Sequence, residues 1–331
     1  MNKRILITGG AGFIGLHLGN HLLDHGYSIL LVDNHSRGVS DLDLNKILEN
    51  DRAKFINCDL IDSENVLKLG RDFSTIFHLA AIVGVSHVSK EPNKVLSGNI
   101  KTLENIIELG KRQEHLTRLL FASTSEVYAG TLEKLGMNIP TPESTLLAVP
   151  PIDRPRTSYM LSKIYGEAMC YHSNLPFTIF RPHNVYGPRM GMSHVIPEQL
   201  KKAYFSPEGQ SIDVFSPDHT RCFCYVDDAL QMMRKMMETE NCQGETLNLG
   251  VEAPELTIKE VVGECHKAVG KSLIFDYKEE TEGSPVRRAP DMNKTKSLIG
   301  YDGAVSITEG IYRTYAWYRK NVFEANTASA I

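Results

Sequence analysis

The sequence predicts an α/β protein: a doubly wound parallel sheet with a smaller C-terminal αβ domain. Three observations carry this. Short apolar runs recur through the first half with little alternation, which suits strands buried on both faces. Helical stretches separate those runs, and a β-α-β-α order joins parallel strands by crossovers. A glycine-rich turn stands between the first run and the first helical stretch.

The elements follow in order. Lys3-Arg4-Ile5-Leu6-Ile7 is the first strand, and Thr8-Gly9-Gly10-Ala11-Gly12-Phe13-Ile14-Gly15 is a turn entering a helix. Gly10, Gly12 and Gly15 satisfy G-x-G-x-x-G, and Gly9, Gly12 and Gly15 a variant with three-residue spacing. Glycine here permits a tight turn, close backbone approach to a pyrophosphate and close packing of helix on strand. The helix start offers free N–H groups and a positive dipole end to phosphates. The second strand, 28–32, runs into Asp33, eighteen residues after Gly15. A carboxylate there accepts hydrogen bonds from an adenosine ribose and repels a 2′-phosphate, so NAD is the expected cofactor.

Further strands are expected at 54–59, 75–81, 118–123 and 177–181, with helices at 99–112 and 159–172. After Arg181 the prolines 182, 188, 197, 207 and 217, with interspersed glycines, mark a loop-rich region with short helices. A helix at 226–238 and a strand at 245–249 return to the sheet. The chain therefore divides into a Rossmann-type NAD-binding domain, residues 1–181 with returning segments at about 224–250, and a substrate-binding domain, 182–223 with 251–323. The last helix is expected at 307–323, with a frayed tail from 324 to 331.

Composition narrows the partners. A net charge of −4 over 331 residues does not suit a nucleic-acid groove or an anionic membrane surface. No apolar run approaches the ~20 residues that cross a bilayer. The N-terminus leads into the first strand without a signal peptide, so a cytoplasmic location is expected. Cys58, Cys170, Cys222, Cys224, Cys242 and Cys265 are scattered, with no metal spacing, and read as reduced, buried thiols. Cys222 and Cys224 alternate on one apparent strand and should share a face. No metal site is expected.

The chemistry sits on a helix. Tyr159 and Lys163 are four residues apart and share a face. A nearby ammonium favours the phenolate and lowers a tyrosine pKa that is otherwise ~10. Such a tyrosine can take the proton of a sugar hydroxyl while the carbon beneath gives hydride to a nicotinamide. Ser123-Thr124-Ser125-Glu126 stands at the carboxyl end of a strand, where open α/β sheets build their sites. A hydroxyl there can hold the reacting oxygen; the plain alternative is a helix N-cap.

With these residues the chain resembles an extended short-chain dehydrogenase/reductase of the nucleotide-sugar epimerase/dehydratase family. Matching segments are the glycine turn, Asp33, Cys58-Asp59-Leu60, His78-Leu79-Ala80-Ala81, Asn99, residues 123–128, 159–163, 181–189, 220–228 and 287–291. The resemblance runs from residue 3 to about 312. It implies Tyr159 as base, Lys163 on the nicotinamide ribose and Thr124 on the substrate hydroxyl, with Ser125 and Glu126 beside them. Gly9, Gly12, Phe13, Ile14, Gly15, Asp33, Asn34, Asp59, Leu60, Ala80, Ala81, Asn99, Tyr159 and Lys163 would hold NAD. Val85, Asn184, Arg189, Val195, Arg221 and Arg288 would hold a nucleotide-diphosphate sugar, arginine being suited to phosphates. His194, Ile196 and Pro197 would approach the base, and His183 stands where the family usually has an aromatic residue.

Family enzymes oxidise C4 of the sugar and exploit the ketone. Thr124-Ser125-Glu126 resembles the triplet of GDP-mannose 4,6-dehydratases and UDP-glucuronate decarboxylases, and the segment around Arg221 is closer to the decarboxylase form. In a dehydratase Glu126 would remove the C5 proton; in a decarboxylase Ser125, Glu126 and Arg221 would engage the uronic carboxylate. The Asp-Glu pair of dTDP-glucose dehydratases is absent, Ser125 occupying the Asp position. A simple 4-epimerase is the alternative, and a non-catalytic NAD sensor or scaffold is the alternative of another class. The resemblance also implies a homodimer built on two helices per subunit, one of them bearing Tyr159.

Overall fold

The computed structural model describes residues 4–272, 274–279 and 285–325. Seven strands form the central sheet: β1 (Arg4–Thr8), β2 (Ser28–Asp33), β3 (Ala53–Asn57), β4 (Phe73–His78), β5 (Arg118–Ala122), β6 (Phe177–Pro182) and β7 (Thr246–Leu249). Their order is β7-β6-β5-β4-β1-β2-β3, and every neighbouring pair is parallel. The doubly wound sheet read from the sequence is therefore present, including the late return of β7.

Both faces of the sheet are covered, which is why its strands lack polar alternation. Ile5, Ile7, Ile29, Leu31, Phe77, Leu120 and Phe180 pack with Leu18 and Leu22 of α1 (Phe13–Asp24) and with Met232 and Met233 of a later helix, Val226–Glu238. Leu6, Leu30, Ile76, Leu119, Phe121 and Ile179 pack on the other face with Leu103 and Ile106 of α2 (Pro92–Lys111) and Cys170 of α3 (Thr157–Tyr171). The later helix is α4. The strand order reverses between β1 and β4, so the connections that leave their carboxyl ends diverge and open a crevice, the usual ligand position in such sheets.

The second lobe is built from short pieces. Strand 220–222 lies between 255–257 and 287–288, and 211–215 pairs with 274–278. The helix Val195–Phe205, α5 (Ile258–Val269) and α6 (Ile307–Tyr318) pack together beside them. Helix α5 has clear start and stop signals: a Thr257–Glu260 capping box at its beginning and Gly270 in the left-handed conformation after its end.

Three expectations shift. Helix α2 starts at Pro92 rather than 99, because proline at the first helical position needs no N–H partner and the polar first turn hides the apolar periodicity. Beyond α6 the chain tightens differently, as a π turn over Arg319–Phe323; residues 326–331 of the tail lie outside the described residues. Cys222 and Cys224 do not share a strand. Phe223 separates them, Cys222 pairing with Glu255 and Cys224 with Val185. All six cysteines are free and buried, and burial pushes the Cys222 thiol up to about 12.

Candidate active site

A cleft of about 1310 Å³ runs across the carboxyl ends of the sheet and into the second lobe. Its floor is the glycine turn. Gly9 has φ +71°, and a Cβ there would lie 3.0 Å from the Ala80 nitrogen. A Cβ on Gly15 would lie 2.1 Å from the Gly9 carbonyl oxygen, so only glycine lets α1 start this close to β1. Gly12 precedes α1 with no side-chain cap, leaving the first N–H groups to a ligand. Phe13 and Ile14 line the same stretch. The turn thus fits a pyrophosphate by shape and by hydrogen-bonding capacity.

Asp33 closes one side. Its carboxylate accepts hydrogen bonds from the Ala11 nitrogen (3.1 Å) and the His35 nitrogen (2.8 Å). Each oxygen keeps lone-pair capacity for a ribose hydroxyl. Asn34, Asp59, Leu60, Ala80 and Ala81 line the cleft further along. Asn99 also lines it, but its amide is committed: it accepts from the Ile82 nitrogen at 2.7 Å and donates to the Ile82 carbonyl and the Ser162 hydroxyl. Asn99 therefore fixes the loop after β4 against α3. His78, unassigned from the sequence, ties β4 to β1 through Thr8 at 2.9 Å, and burial pulls its pKa down to about 3.

Arg189 differs most from expectation. Its guanidinium is not turned toward Arg221 and Arg288. It donates to Asp41 (2.7 Å), to the carbonyls of Ala11 (2.8 Å) and Gly12 (3.2 Å), and to that of Val39 (2.8 Å). An arginine from the 182–195 segment thus buckles the glycine turn to the loop after β2. Its donors are spent on protein acceptors, which long-range folding decides and local spacing does not reveal. Val85 opens a short helix, Val85–Lys90; its side chain lies outside the described residues.

The reacting end stands opposite the turn. Tyr159 and Thr124 line the cleft together. Thr124 also accepts from the Glu126 nitrogen at 3.2 Å, so it is an N-cap as well. Lys163 is buried and donates to the Ala122 carbonyl at 2.7 Å, its ammonium 5.9 Å from the Tyr159 ring centroid. Burial pulls Lys163 down to about 8. Burial likewise pushes the Tyr159 hydroxyl up to about 12, against the opposing pull of Thr124, so desolvation rather than a lysine charge sets its protonation here.

Glu126 lies between two arginines. Arg288 donates to one carboxylate oxygen at 2.8 Å and Arg156 to the other at 3.1 Å. Burial raises the Glu126 pKa, but the two guanidinium charges overcome that and hold it below the usual carboxylate range. Arg221, in register with Arg288, donates to the carbonyls of Thr220 (2.7 Å) and Pro285 (2.6 Å). Burial, helped by the Arg288 charge, pulls it down to about 10. Asn184 lines the cleft with a left-handed backbone, φ +42°, and donates to the Cys222 carbonyl. Val195 and Ile196 line the far end, with His194.

Beneath the site lies a buried polar network invisible to motif reading. Glu167 receives the Arg181 guanidinium on both oxygens (2.9 and 2.6 Å) and the Ser123 hydroxyl (2.5 Å). Arg181 continues to the Tyr128 hydroxyl (2.8 Å), which donates to Asn248 (3.0 Å). The His183 ring meets the same Asn248 oxygen at 3.2 Å and is buried there. The network joins β5, α3, β6 and β7 directly under Thr124, Ser125 and Tyr159. Among the described residues, no group of three metal-ligating side chains comes together.

A doubly wound sheet with a pyrophosphate cradle at its switch point, facing a Tyr-x-x-x-Lys helix, defines an NAD-dependent short-chain dehydrogenase/reductase. Within that class, the model of the NAD dependent epimerase/dehydratase family matches residues 5–250, and the chain belongs to that family. It is thus an enzyme whose cofactor is NAD. It is 32% identical to a UDP-N-acetyl-alpha-D-glucosaminuronate decarboxylase of Bacillus cytotoxicus, over 97% of this chain and 99% of that protein. It is 31% identical to UDP-glucuronic acid decarboxylase 1 of Xenopus tropicalis, over 97% of this chain and 73% of that one. The UDP-glucuronic acid 4-epimerase of Bacillus cereus, solved with UDP-glucuronic acid and NAD, superposes with TM-score 0.82 at 27% identity, over 96% of this chain and 99% of that one. Among the described residues no helix is long and apolar enough to cross a membrane.

Proposed function

We propose that this enzyme acts on a UDP-uronate through transient oxidation at sugar C4, with loss of the C5 carboxylate as its net reaction. The observation that carries this reading is that Tyr159 and Thr124 line the cleft together with a carboxylate, Glu126, that two arginines flank. The similarity to two uronate decarboxylases over nearly the whole chain supports it.

The geometry supports the following residue roles. Thr124 and Tyr159 grip the C4 oxygen, and Tyr159 accepts its proton. Bound NAD supplies the acceptor for the electron pair leaving C4 and a positive ring charge beside the phenol. Lys163, fixed on the Ala122 carbonyl, orients toward the nicotinamide ribose. The ketone at C4 makes the C5–carboxylate bond labile: its electrons pass into the enolate as carbon dioxide leaves. Glu126, having taken up a proton from solvent, delivers it to C5, and return of the electron pair and of the Tyr159 proton to C4 restores the hydroxyl and the oxidised cofactor. Asn184, Arg288 and Arg221 serve the diphosphate and neighbouring groups, and Val195 the base.

The remaining parts of the reading are of the same standing. Residues 1–181 with about 224–250 act as the NAD-binding domain, and 182–223 with 251–323 as the substrate-binding domain. Helices α2 and α3, which pack on each other, form the homodimer face, and Tyr165 of α3 is 55% exposed there. The enzyme works in the cytoplasm. Epimerisation at C4 with the carboxylate retained is the second reading, favoured by the likeness to the UDP-glucuronic acid 4-epimerase.

The test is incubation with a panel of UDP-, GDP-, CDP- and dTDP-sugars, neutral and acidic, read by mass spectrometry and NMR. Loss of carbon dioxide from a UDP-uronate is expected. Loss of water, or turnover of neutral hexoses alone, overturns the proposal; an unchanged mass with inverted C4 selects the second reading.

A further inference from the structure

From Asp33 to Asp43 the chain carries three carboxylates and one arginine, and the fold leaves that arginine out of every pair. Asp33 accepts from the backbone nitrogens of Ala11 and His35. Asp41 accepts from Arg189 and from the Leu44 nitrogen. Asp43 accepts from the Trp317 indole at 2.9 Å. Arg37 is exposed, and its guanidinium makes no hydrogen bond or ion pair among the described residues.

Arg37 is nevertheless not turned away from the molecule. It lines the cleft. A Cβ on Gly191 would lie 3.9 Å from its Nη2 and 3.8 Å from the His194 ring. The side chain therefore reaches from the loop after β2 to the 189–194 segment of the other lobe, across the mouth of the cleft. Its charge is felt in two directions. It adds to the burial that lowers the His194 pKa, and it opposes the burial that pushes the Tyr159 hydroxyl up to about 12.

The root of this bridge is fixed at the glycine turn. The Val39 nitrogen donates to the Ala11 carbonyl at 3.3 Å, and Arg189 holds the carbonyls of Ala11, Gly12 and Val39 together. A Cβ on Gly38 would lie 2.7 Å from an Asp33 oxygen, so the chain closes on Asp33 right beside Arg37. The floor of the same cleft offers the uncapped N–H groups of α1 to a pyrophosphate. A guanidinium that no protein carboxylate neutralises, held over that floor, has the charge and the forked donors that phosphate oxygens require.

We propose that Arg37 closes over the pyrophosphate of bound NAD from the mouth of the cleft and so retains the cofactor through turnover. The chemistry recognised is a nucleotide diphosphate, which a nucleotide-sugar substrate also carries, and the test separates the two. Arg37 is thereby a cofactor-retaining residue, and this assignment does not depend on which sugar is converted.

The test titrates cofactor-stripped enzyme by calorimetry with NAD, ADP-ribose and adenosine, and NAD-loaded enzyme with UDP. Arg37→Ala should weaken NAD and ADP-ribose by about ten- to a hundredfold, the usual cost of a lost charged hydrogen bond, mainly through faster release in stopped-flow measurements. Adenosine, which has no phosphate, and UDP should change less than about twofold. Arg37→Lys, which keeps the charge without the fork, should restore part of the loss. Unchanged NAD affinity overturns the inference. Equal weakening of adenosine makes Arg37 a structural member of its loop and overturns it as well. A loss confined to UDP moves Arg37 to the substrate diphosphate and overturns its assignment to the cofactor. Circular dichroism of the variants, whose altered side chain is exposed, verifies that the fold is kept.

Discussion

Lys163 offers a quantitative test of how the site is built. It is a buried ammonium whose pKa falls from its ordinary 10.5 to about 8, with burial as the cause. Between those two values the unfolded chain binds the proton more tightly than the native protein, so native stability rises with pH. At 1.36 kcal/mol per pH unit, the charged lysine costs the cofactor-free fold about 3 kcal/mol at pH 7 and about 1 kcal/mol at pH 10. Lys163→Met keeps the stem and removes the charge. The variant leaves the Ala122 carbonyl without its 2.7 Å donor, which costs about 1 kcal/mol at either pH. The decisive quantity is therefore the pH dependence. Urea denaturation of cofactor-stripped wild type and variant at pH 7 and pH 10 should show wild type gaining about 2 kcal/mol relative to Lys163→Met. Parallel stabilities across that interval would refute the account of Lys163 as a desolvated cation.

Other outcomes follow from the same geometry. Tyr159→Phe should cut turnover by about 10²–10⁴, the range for general acid–base catalysis, with NAD binding intact by calorimetry; substantial residual turnover removes Tyr159 as the base. Glu126→Gln should spare C4 oxidation and impair the step at C5, so that reduced cofactor absorbance and a 4-keto species accumulate. Equal loss of both steps would make Glu126 structural. Arg189→Ala cuts every bond from the buckle to Asp41, Ala11, Gly12 and Val39, and should weaken NAD binding about tenfold or more by titration calorimetry. An unaltered Kd would mean the glycine turn holds its shape alone.

Legibility in the sequence follows the range of the interaction. The glycine turn, Asp33 and the Tyr159–Lys163 spacing are local, each fixed by a tight turn or one helical repeat, and all line one cleft. The unalternating strands gave away a sheet covered on both faces. The buckle that Arg189 makes is not legible in the sequence, because its acceptors, Ala11 and Asp41, lie about 150–180 residues away in the chain. Arg156 stands one turn before Tyr159, yet nothing marks it until Glu126 and Arg288 arrive from elsewhere. The Arg181–Glu167 pair, 5% and 7% exposed, reads in sequence as two ordinary charges. One signal was present: an arginine inside an apolar strand run needs a buried partner.

On the proposed reading, the two proton-transfer groups, Tyr159 and Glu126, stand in the forms that chemistry does not use. Tyr159 is a neutral phenol pushed up to about 12 by burial. Glu126 is an ionised carboxylate whose affinity for a proton is suppressed by Arg288 and Arg156, although burial alone would raise it. Each inhibition is removed by a different arrival. A cationic ring beside Tyr159 favours its phenolate. Anionic groups that draw the two arginines away leave Glu126 with burial alone, which moves its pKa toward the range of a useful acid or base. On the proposed reading the energetic order therefore matches the chemical order: cofactor first, then substrate anions, then proton transfer at C4 and at C5. The rigid Ser123–Glu167–Arg181–Tyr128 network beneath suits this scheme, because the switching is electrostatic and the framework beneath it has no need to move.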